Sequence, residues 1–194
     1  MEQDEHVFVH PFGLCESDQV GTGTRVWAFA HVLAGARLGR GCNVGGGAYV
    51  ESGAVVGDRV TIKNQVMIFD GVTVEDDVFL GPGVTFTNDL RPRAEVKKSG
   101  SGLDRTLVER GATLGARVVV VCGLTVGRYA FVGAGAVLVR DVPAHAFVVG
   151  NPARQIGWAC TCGQRLDDDL ACTCGRGFAL AEDGLVQDRE RLCT

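Results

Sequence analysis

The sequence predicts an all-β fold in which very short strands coil into a parallel β-helix. Three observations support this prediction. A large apolar residue recurs every six positions, glycine often stands three positions after it, and a small or β-branched residue follows four positions after it. A period of six differs from the 3.6-residue turn of an α-helix and from the two-residue alternation of an ordinary strand. It fits a short strand plus a tight corner, three of which close a triangular coil of about 18 residues.

The apolar repeat runs from Val20 to Phe86 without a polar residue at any stop. Stacked coils divide these stops into three columns, which are Val20, Leu38, Val56 and Val74, then Val26, Val44, Ile62 and Leu80, and finally Val32, Val50, Ile68 and Phe86. Each column is expected to form an aliphatic ladder inside the prism, with successive coils paired as parallel strands about 4.8 Å apart. Glycine suits corners that need positive φ. A chance pattern in a valine-rich globular domain is the alternative.

The repeat stops after Phe86 and returns in a new phase at Val108, from which it continues to Leu138. Residues 87–107 are polar, and their cations are Arg91, Arg93, Lys97, Lys98 and Arg105. A solenoid that leaves its wall over about 20 residues usually does so for function. The sequence therefore predicts a projecting loop over 87–107 whose cations could meet phosphates. A solvated insertion without a role is the alternative.

Composition and charge narrow the classes of function. The net charge is −4, with 19 basic and 23 acidic residues, so the chain as a whole does not attract nucleic acid. We find no run of 18 or more apolar residues, and the acidic segment Met1–His6 lacks the features of a secretory signal. We therefore expect a cytoplasmic protein that binds neither nucleic acid nor a membrane.

The eight cysteines fall into two groups. Cys15, Cys42, Cys122 and Cys193 are scattered, and in a reducing compartment they are expected to be small buried side chains or inert thiols. The other four stand in two copies of Ala-Cys-Thr-Cys-Gly and are Cys160, Cys162, Cys172 and Cys174. Two such knuckles predict a structural zinc site, although the usual spacing is Cys-x-x-Cys. Free thiols in a loosely ordered tail are the alternative.

The domain organisation follows from the end of the repeat. Residues 1–157 are expected to form the β-helix, and residues 158–194 a small cysteine-rich appendage with little core of its own. A bound metal would help such an appendage to fold.

Three segments resemble one branch of the left-handed β-helix, hexapeptide-repeat acyltransferases. They are Gly81–Arg93, which contains Phe-Thr-Asn-Asp, Gly111–Ala116, and Val148–Trp158, which contains Gly-Asn-Pro-Ala-Arg. The branch comprises bacterial N-acetyltransferases that act on nucleotide-linked 3-amino sugars, and the likeness covers about residues 18–158. It implies a left-handed coil, acetyl-CoA as co-substrate, a nucleotide-linked amino sugar as acceptor, and a homotrimer with active sites between subunits. UDP-linked glucuronates and dTDP-linked deoxyhexoses remain open as acceptors.

The resemblance and the coil spacing together indicate catalytic candidates. Asn88 occupies the place of the family's Thr-Asn motif, which faces the sugar amine and the thioester; stabilising a turn is the alternative. Asp70 precedes Asn88 by one coil and is the best-placed carboxylate to accept a proton or hold the amine. Asp70 could equally be a plain turn residue, or the leaving thiolate could take the proton.

The same resemblance assigns residues to the two ligands. The backbone at Ala116 and Ala134 would face the pantetheine arm of acetyl-CoA, and glycines at 133 and 135 would leave room for it. Asn151 and Arg154 would lie near the adenosine phosphates, although Arg154 could be a solvated terminal charge. For the sugar nucleotide the candidates are Arg93 and Asn64. The residues assigned to acetyl-CoA are therefore Ala116, Gly133, Ala134, Gly135, Asn151 and Arg154.

Other residues are set aside. His31 lies three coils below residue 85 and is expected at the surface or an interface, His145 has no motif support, and Cys122 is expected to be a wall thiol without a partnered base. Two rival functions remain. One is acyl transfer on the same scaffold with another donor or amine, and the other is a non-catalytic β-helix that binds a partner and has no affinity for coenzyme A.

Overall fold

The computed structural model describes residues 6–98 and 100–192, without the side chains of Ser101 and residues 189–192. The acidic residues 1–5 and Cys193 lie outside the described residues. Within the described part of the chain, no helix is long and apolar enough to cross a membrane.

Short strands follow one another at intervals of a few residues because each side of the triangular coil holds only a brief extended segment. The elements are β1 (Phe8–Val9), β2 (Leu14–Cys15), β3 (Arg25–Val26), β4 (His31–Val32), β5 (Arg37–Leu38), β6 (Asn43–Val44), β7 (Tyr49–Val50), β8 (Val55–Val56), β9 (Thr61–Ile62), β10 (Met67–Ile68), β11 (Val72–Val74), β12 (Phe79–Leu80), β13 (Thr85–Phe86), a 3-10 turn (Gly100–Gly102), β14 (Thr106–Val108), β15 (Thr113–Leu114), β16 (Val119–Val120), β17 (Thr125–Val126), β18 (Phe131–Val132), β19 (Val137–Leu138), β20 (Ala146–Val149), β21 (Arg154–Trp158), β22 (Arg176–Ala181) and β23 (Gly184–Leu192).

Three parallel sheets form the walls of the prism. Sheet A runs β1-β3-β6-β9-β12-β15-β18-β20 and ends with the antiparallel β21, sheet B runs β2-β4-β7-β10-β13-β16-β19, and sheet C runs β5-β8-β11-β14-β17. From β3 to the loop, paired residues are 18 positions apart, as in Arg25↔Asn43 and His31↔Tyr49, whereas β1 and β2 pair at a separation of 17. The predicted all-β parallel β-helix is therefore confirmed.

The core is the space enclosed by the three sheets. The predicted columns are buried there, with Val26, Ile62 and Phe86 fully excluded from solvent, and only Val20 at the open first coil stays half-buried. Burial of each such side chain contributes roughly 1.5–3 kcal/mol. Small companions such as Ala54 are buried at the narrow corners. The aliphatic period therefore stabilises the prism along its whole length.

The third residue after the apolar stops from Val20 to Leu80 and from Val108 to Val132 turns the corner with positive φ, whether or not it is glycine. Gly53 and Gly83 have φ of +88° and +71°, and at equivalent corners Phe29, Arg59 and Tyr129 take φ of 54–62°. Non-glycine residues rarely adopt this region, at a cost of about 1–2 kcal/mol each. The frequent glycines in the repeat follow from this backbone requirement.

The projecting loop separates β13 from β14 and is two residues shorter than predicted. Thr106 and Leu107 already pair with Val72 and Thr73 in sheet C, so the wall resumes at Thr106 and the loop spans 87–105. The prediction of 87–107 was wrong at this end because the apolar period marks only the inward-facing Val108 and not the start of its strand.

The chain leaves the solenoid through an antiparallel hairpin, β20–β21, which ends at Trp158. The cysteine-rich appendage then packs against the last coil through a second hairpin, β22–β23. Its core residues are Cys160, Leu166, Cys172, Phe178 and Leu185, and Trp158 touches both this cluster and the β-helix core.

Candidate active site

A polar pocket of about 420 Å³ lies where sheet B turns into sheet C, beside the projecting loop. Asp70 follows β10 and Asn88 follows β13, and the pairing of Met67 with Thr85 places Asn88 one coil above Asp70. The structure therefore brings together the two residues predicted to be catalytic. The remaining lining residues are Leu33, Glu51, Ser52, Asp89, Lys98 and Leu103.

Asp70 is positioned by the coil beneath it. Its backbone N–H donates a 2.8 Å hydrogen bond to Oε2 of Glu51. Below the carboxylate lies Gly53, and a Cβ at that position would approach Cγ of Asp70 to 2.8 Å. The carboxylate of Asp70 is half-buried and lines the pocket.

Asn88 stands where the loop leaves and returns to the wall. Its carbonyl accepts a 3.0 Å hydrogen bond from the N–H of Asp104, and Oδ2 of Asp104 accepts one of 3.2 Å from the N–H of Leu90. These bonds fix the backbone at Asn88. Asn88 is half-buried and lines the pocket.

One loop cation reaches the pocket. Nζ of Lys98 lies 2.5 Å from Oδ1 of Asp89, and this hydrogen bond, with a second from the N–H of Arg91, lowers the pKa of the Asp89 carboxyl. Arg93, the predicted sugar-nucleotide ligand, is exposed in a turn in which Val96 N–H donates to its carbonyl at 3.1 Å. Arg93 lies outside the lining of the pocket.

Apart from Arg154, the residues assigned to acetyl-CoA lie at a different corner, where sheet A turns into sheet B. Gly83 N–H donates to the carbonyl of Asn64 at 2.9 Å, and Gly135 N–H donates to that of Ala116 at 2.8 Å, as coil stacks on coil. Ala134 follows in the same column, one coil above Ala116. Asn64 therefore lies with the residues assigned to acetyl-CoA, and the structure does not bring it to the pocket of Asp70.

The glycines beside Ala134 differ in their surroundings. A Cβ at Gly133 would lie 2.8 Å from Cγ1 of Val149. The side chain of Val149 therefore occupies the space that was expected to accommodate the pantetheine arm. A Cβ at Gly135 would meet nothing within 4 Å, and its φ of +72° favours glycine. Only Gly135 therefore leaves open space at this corner.

The turn that follows β20 completes this corner. Val137 N–H donates a 3.0 Å hydrogen bond to the carbonyl of Gly150, and the Asn151–Pro152 peptide bond that follows is cis. Arg154 lies apart from that corner, beside the segment that follows β19, where it borders a cavity of about 230 Å³ together with Arg140. Two cations at one cavity are suited to phosphates.

The residues set aside by the sequence occupy other places. His31 pairs in register with Tyr49, three coils below Thr85, and contacts Glu16 at 3.1 Å. Cys122 is buried, as predicted for a wall thiol, with Sγ 3.7 Å from Oδ2 of Asp104.

His145 belongs to the contact between the last coil and the appendage. It is buried, its Nδ1 lies 2.9 Å from the carbonyl of Ala159, and burial lowers the pKa of its imidazole. Neither it nor His31 lines the pocket of Asp70.

The four clustered cysteines converge in the appendage. Their Sγ atoms all lie within 4.8 Å of one another, which makes Cys160, Cys162, Cys172 and Cys174 able to hold a metal ion. They are free thiols, and they lie apart from the residues that line the pocket of Asp70.

Sequence reasoning missed several residues around Asp70. Ser52 precedes Asp70 by one coil, so the stacking rule that selected Asp70 could have found it. Glu51 and Asp104 gave no such signal, because Glu51 acts through a side-chain bond to the next coil and Asp104 depends on the path of the loop. Lys98 was named among the loop cations, but nothing in the sequence distinguished it from the other four.

Comparisons with known proteins agree with this architecture. The family described as the hexapeptide repeat of succinyl-transferase matches residues 35–70 and 105–140. Over 185 residues, 94% of this chain and 95% of the relative, the sequence is 55% identical to dTDP-3-amino-3,6-dideoxy-α-D-galactopyranose 3-N-acetyltransferase of Aneurinibacillus thermoaerophilus. The chain belongs to the hexapeptide-repeat N-acetyltransferases of nucleotide-linked 3-amino sugars. This confirms the resemblance seen in the Phe-Thr-Asn-Asp and Gly-Asn-Pro-Ala-Arg segments.

Other known proteins match this chain over shorter segments or in fold. Serine acetyltransferase 4 of Arabidopsis thaliana is 46% identical over 48 residues, which is 25% of this chain and 14% of that protein. Among solved structures, the acetyltransferase domain of PglB from Neisseria gonorrhoeae, in complex with acetyl coenzyme A, superposes with a TM-score of 0.59 at 24% identity. That match covers 79% of this chain and 58% of the other, and it supports the fold alone.

Proposed function

We propose that this protein transfers the acetyl group of acetyl-CoA to the 3-amino group of a dTDP-linked 3-amino-3,6-dideoxyhexose. The observation that carries the proposal is the pocket in which Asp70 and Asn88 stand one coil apart. The relative from Aneurinibacillus thermoaerophilus, whose name specifies a dTDP-linked galactose derivative, supports the choice of nucleotide and sugar over a UDP-linked glucuronate.

Direct attack of the amine on the thioester accounts for the residues present. The neutral amine adds to the thioester carbonyl, the resulting oxyanion collapses, and coenzyme A leaves as its thiolate while the amine loses a proton. Asp70 is suited to hold the amine and accept that proton. The amide of Asn88 is suited to orient the amine or to donate to the developing negative charge. Positioning of the two reactants supplies much of the remaining rate enhancement.

A homotrimer with active sites between subunits would unite the two ligand sites. In one subunit, Ala116, Ala134, Gly135 and Asn151 lie at the corner between sheets A and B, whereas Asp70 and Asn88 lie at the corner between sheets B and C. A neighbouring copy whose A–B corner faces this pocket would bring the thioester to the amine. A cytoplasmic location is consistent with the two soluble co-substrates.

The proposal is tested by following thiol release from acetyl-CoA in the presence of purified nucleotide sugars. We expect turnover with dTDP-linked 3-amino-3,6-dideoxygalactose and none with its 4-amino isomer, because only the 3-amino group would meet Asp70. Turnover confined to a UDP-linked 3-amino sugar would correct the nucleotide. No turnover with any 3-amino sugar would overturn the proposal, and failure to bind coenzyme A in calorimetry would favour the non-catalytic scaffold.

A further inference from the structure

The appendage contains two knuckles with the same backbone conformation. In the first, Gly163 N–H donates to the carbonyl of Cys160 at 2.9 Å, and in the second Gly175 N–H donates to that of Cys172 at 2.8 Å. Each first cysteine also donates its own N–H to the carbonyl four residues later, at 2.8 Å in both knuckles. The glycines have φ of +88° and +86°. The shorter Cys-x-Cys spacing therefore still builds a tight turn that directs two thiols to one side.

The two turns face each other across a small space. Sγ of Cys160 lies 3.5 Å from Sγ of Cys174, Sγ of Cys162 lies 3.6 Å from Sγ of Cys172, and all four lie within 4.8 Å. Sulfurs at about 2.3 Å from a tetrahedral zinc ion are separated by roughly 3.8 Å, whereas a disulfide needs about 2.05 Å. The spacing of the four sulfurs fits a central metal ion.

The guanidinium group of Arg176, next to the four sulfurs, also supports a metal site. Nη1 of Arg176 lies 3.1 Å from Sγ of Cys174, so a cation is placed to offset the negative charge of four thiolates around a divalent ion. Such outer contacts orient metal ligands in proteins.

We infer that Cys160, Cys162, Cys172 and Cys174 bind one structural Zn²⁺ and that this ion fastens the appendage as a cap over the last coil of the β-helix. Binding replaces the four thiol protons, which pass to solvent, by four Zn–S bonds. All four positions are filled by protein, so the site is closed and has no place for a substrate. The inference is independent of the proposed acetyl transfer.

The cap is seated by backbone contacts at Ala144. Ala144 N–H donates a 2.9 Å hydrogen bond to the carbonyl of Asp183, and Leu185 N–H donates one of 3.2 Å back to the carbonyl of Ala144. The two backbones approach so closely that a Cβ at Gly184 would collide with Ala144. These contacts cover peptide groups that would otherwise form an open edge at the end of the solenoid.

Side chains complete the seating of the cap. The imidazole of His145 lies between the rings of Tyr129 and Phe178, with centroids 5.2 and 5.0 Å apart. Phe178 and Leu185 are fully buried. The appendage core is small and includes two of the cysteines, so apolar burial alone gives it little stability and a metal ion is expected to hold it together.

The site is tested by measuring the metal content of the full chain with elemental mass spectrometry. The protein is purified without a metal-affinity step and without a chelator. We expect about one zinc per chain. Cys162→Ser removes one exposed ligand without opening a cavity and should lower zinc below about 0.2 per chain, whereas Cys15→Ser, a change at a thiol outside the cluster, should leave it unchanged. Less than about 0.1 zinc in the wild-type chain, iron in its place, or unchanged zinc in Cys162→Ser would each overturn the assignment.

Hydrogen exchange tests the cap without using activity. Removal of the metal from the wild-type chain should raise exchange in peptides covering 142–148 and 178–186 at least about tenfold, while peptides covering 43–68 stay protected. Unchanged exchange at Ala144 and Leu185 after complete removal would refute the cap. Gly184→Ala tests the contact with Ala144 separately from the metal. In this variant we expect faster hydrogen exchange in the same peptides while the chain retains its zinc.

Discussion

The carboxylate of Asp70 occupies the space above Gly53 that any larger residue would fill. A Cβ at Gly53 would lie 2.8 Å from Cγ and 3.4 Å from Oδ2 of Asp70, and Gly53 also has a φ of +88°. The coil below the pocket therefore shapes the position of the proposed base. Glu51 contributes from the same coil by accepting the N–H of Asp70 at 2.8 Å.

Gly53→Ala should consequently displace Asp70 and reduce acetyl transfer nearly as much as removal of the carboxylate. We also expect the strained φ to lower the free energy of unfolding by about 1–2 kcal/mol. Gly41→Ala is the matched control, since Gly41 has φ of +65° but its Cβ would meet only Cγ of Arg59, at 3.7 Å. Kinetics and thermal unfolding of both variants separate the effects, and equal activity in the two would contradict a positioning role for Gly53.

Asp70→Asn should lower kcat by about 10²- to 10⁴-fold while KM for the nucleotide sugar changes little, because the amide keeps the shape but cannot accept the proton. Asp76→Asn is the control, since Asp76 is a corner carboxylate of the next turn and accepts the N–H of Asp58 at 2.8 Å. Steady-state thiol release measures both. Near-normal kcat in Asp70→Asn would instead indicate that the leaving thiolate takes the proton.

Asn88→Ala should lower kcat/KM by about 10²-fold if the amide donates to charge that develops in the transition state. Stability should change little, since the backbone bond from Asp104 N–H to the carbonyl of Asn88 does not need the side chain. Asn43→Ala is a suitable comparison, because among the described residues the Asn43 side chain accepts only the indole N–H of Trp27. A large loss of stability in Asn88→Ala, with activity in proportion to folded protein, would restore the turn-stabilising interpretation.

The walls of the prism could be predicted because they obey a local rule. One residue in six must face inward and be apolar, so Val56, Ile62 and Phe86, one from each column, predict three sheets before any contact is known. The coil length then follows, and with it the placement of Asn88 above Asp70. Periodicity therefore predicts which residues stack, including residues on different strands.

The contents of the pocket could not be predicted in the same way. Lys98 reaches Asp89 only because the loop folds back, and Val149 fills the room at Gly133 only because β20 continues past the corner. These contacts join segments outside the six-residue period, so the residue spacing does not predict them. The seating of Gly184 on Ala144 is of the same kind.

Lys98 is the loop cation that should affect the nucleotide sugar most. Its ammonium group borders the pocket beside Asp89, whereas Arg93, which the family resemblance favoured, lies outside the lining. A diphosphate that enters the pocket can replace the Asp89 carboxylate as the partner of Lys98. We therefore expect Lys98→Met to raise KM for the nucleotide sugar about tenfold, or ~1.4 kcal/mol, with kcat nearly unchanged.

Two variants at other loop cations serve as controls for Lys98→Met. Lys97→Met removes the same charge from the adjacent exposed position, and Arg93→Met removes the cation suggested by the motif. Both should change KM less than Lys98→Met, because neither side chain lines the pocket. Initial rates at varied nucleotide sugar and saturating acetyl-CoA provide the measurement. A larger effect at Arg93 would mean that the loop moves on binding so that Arg93, and not Lys98, meets the phosphates.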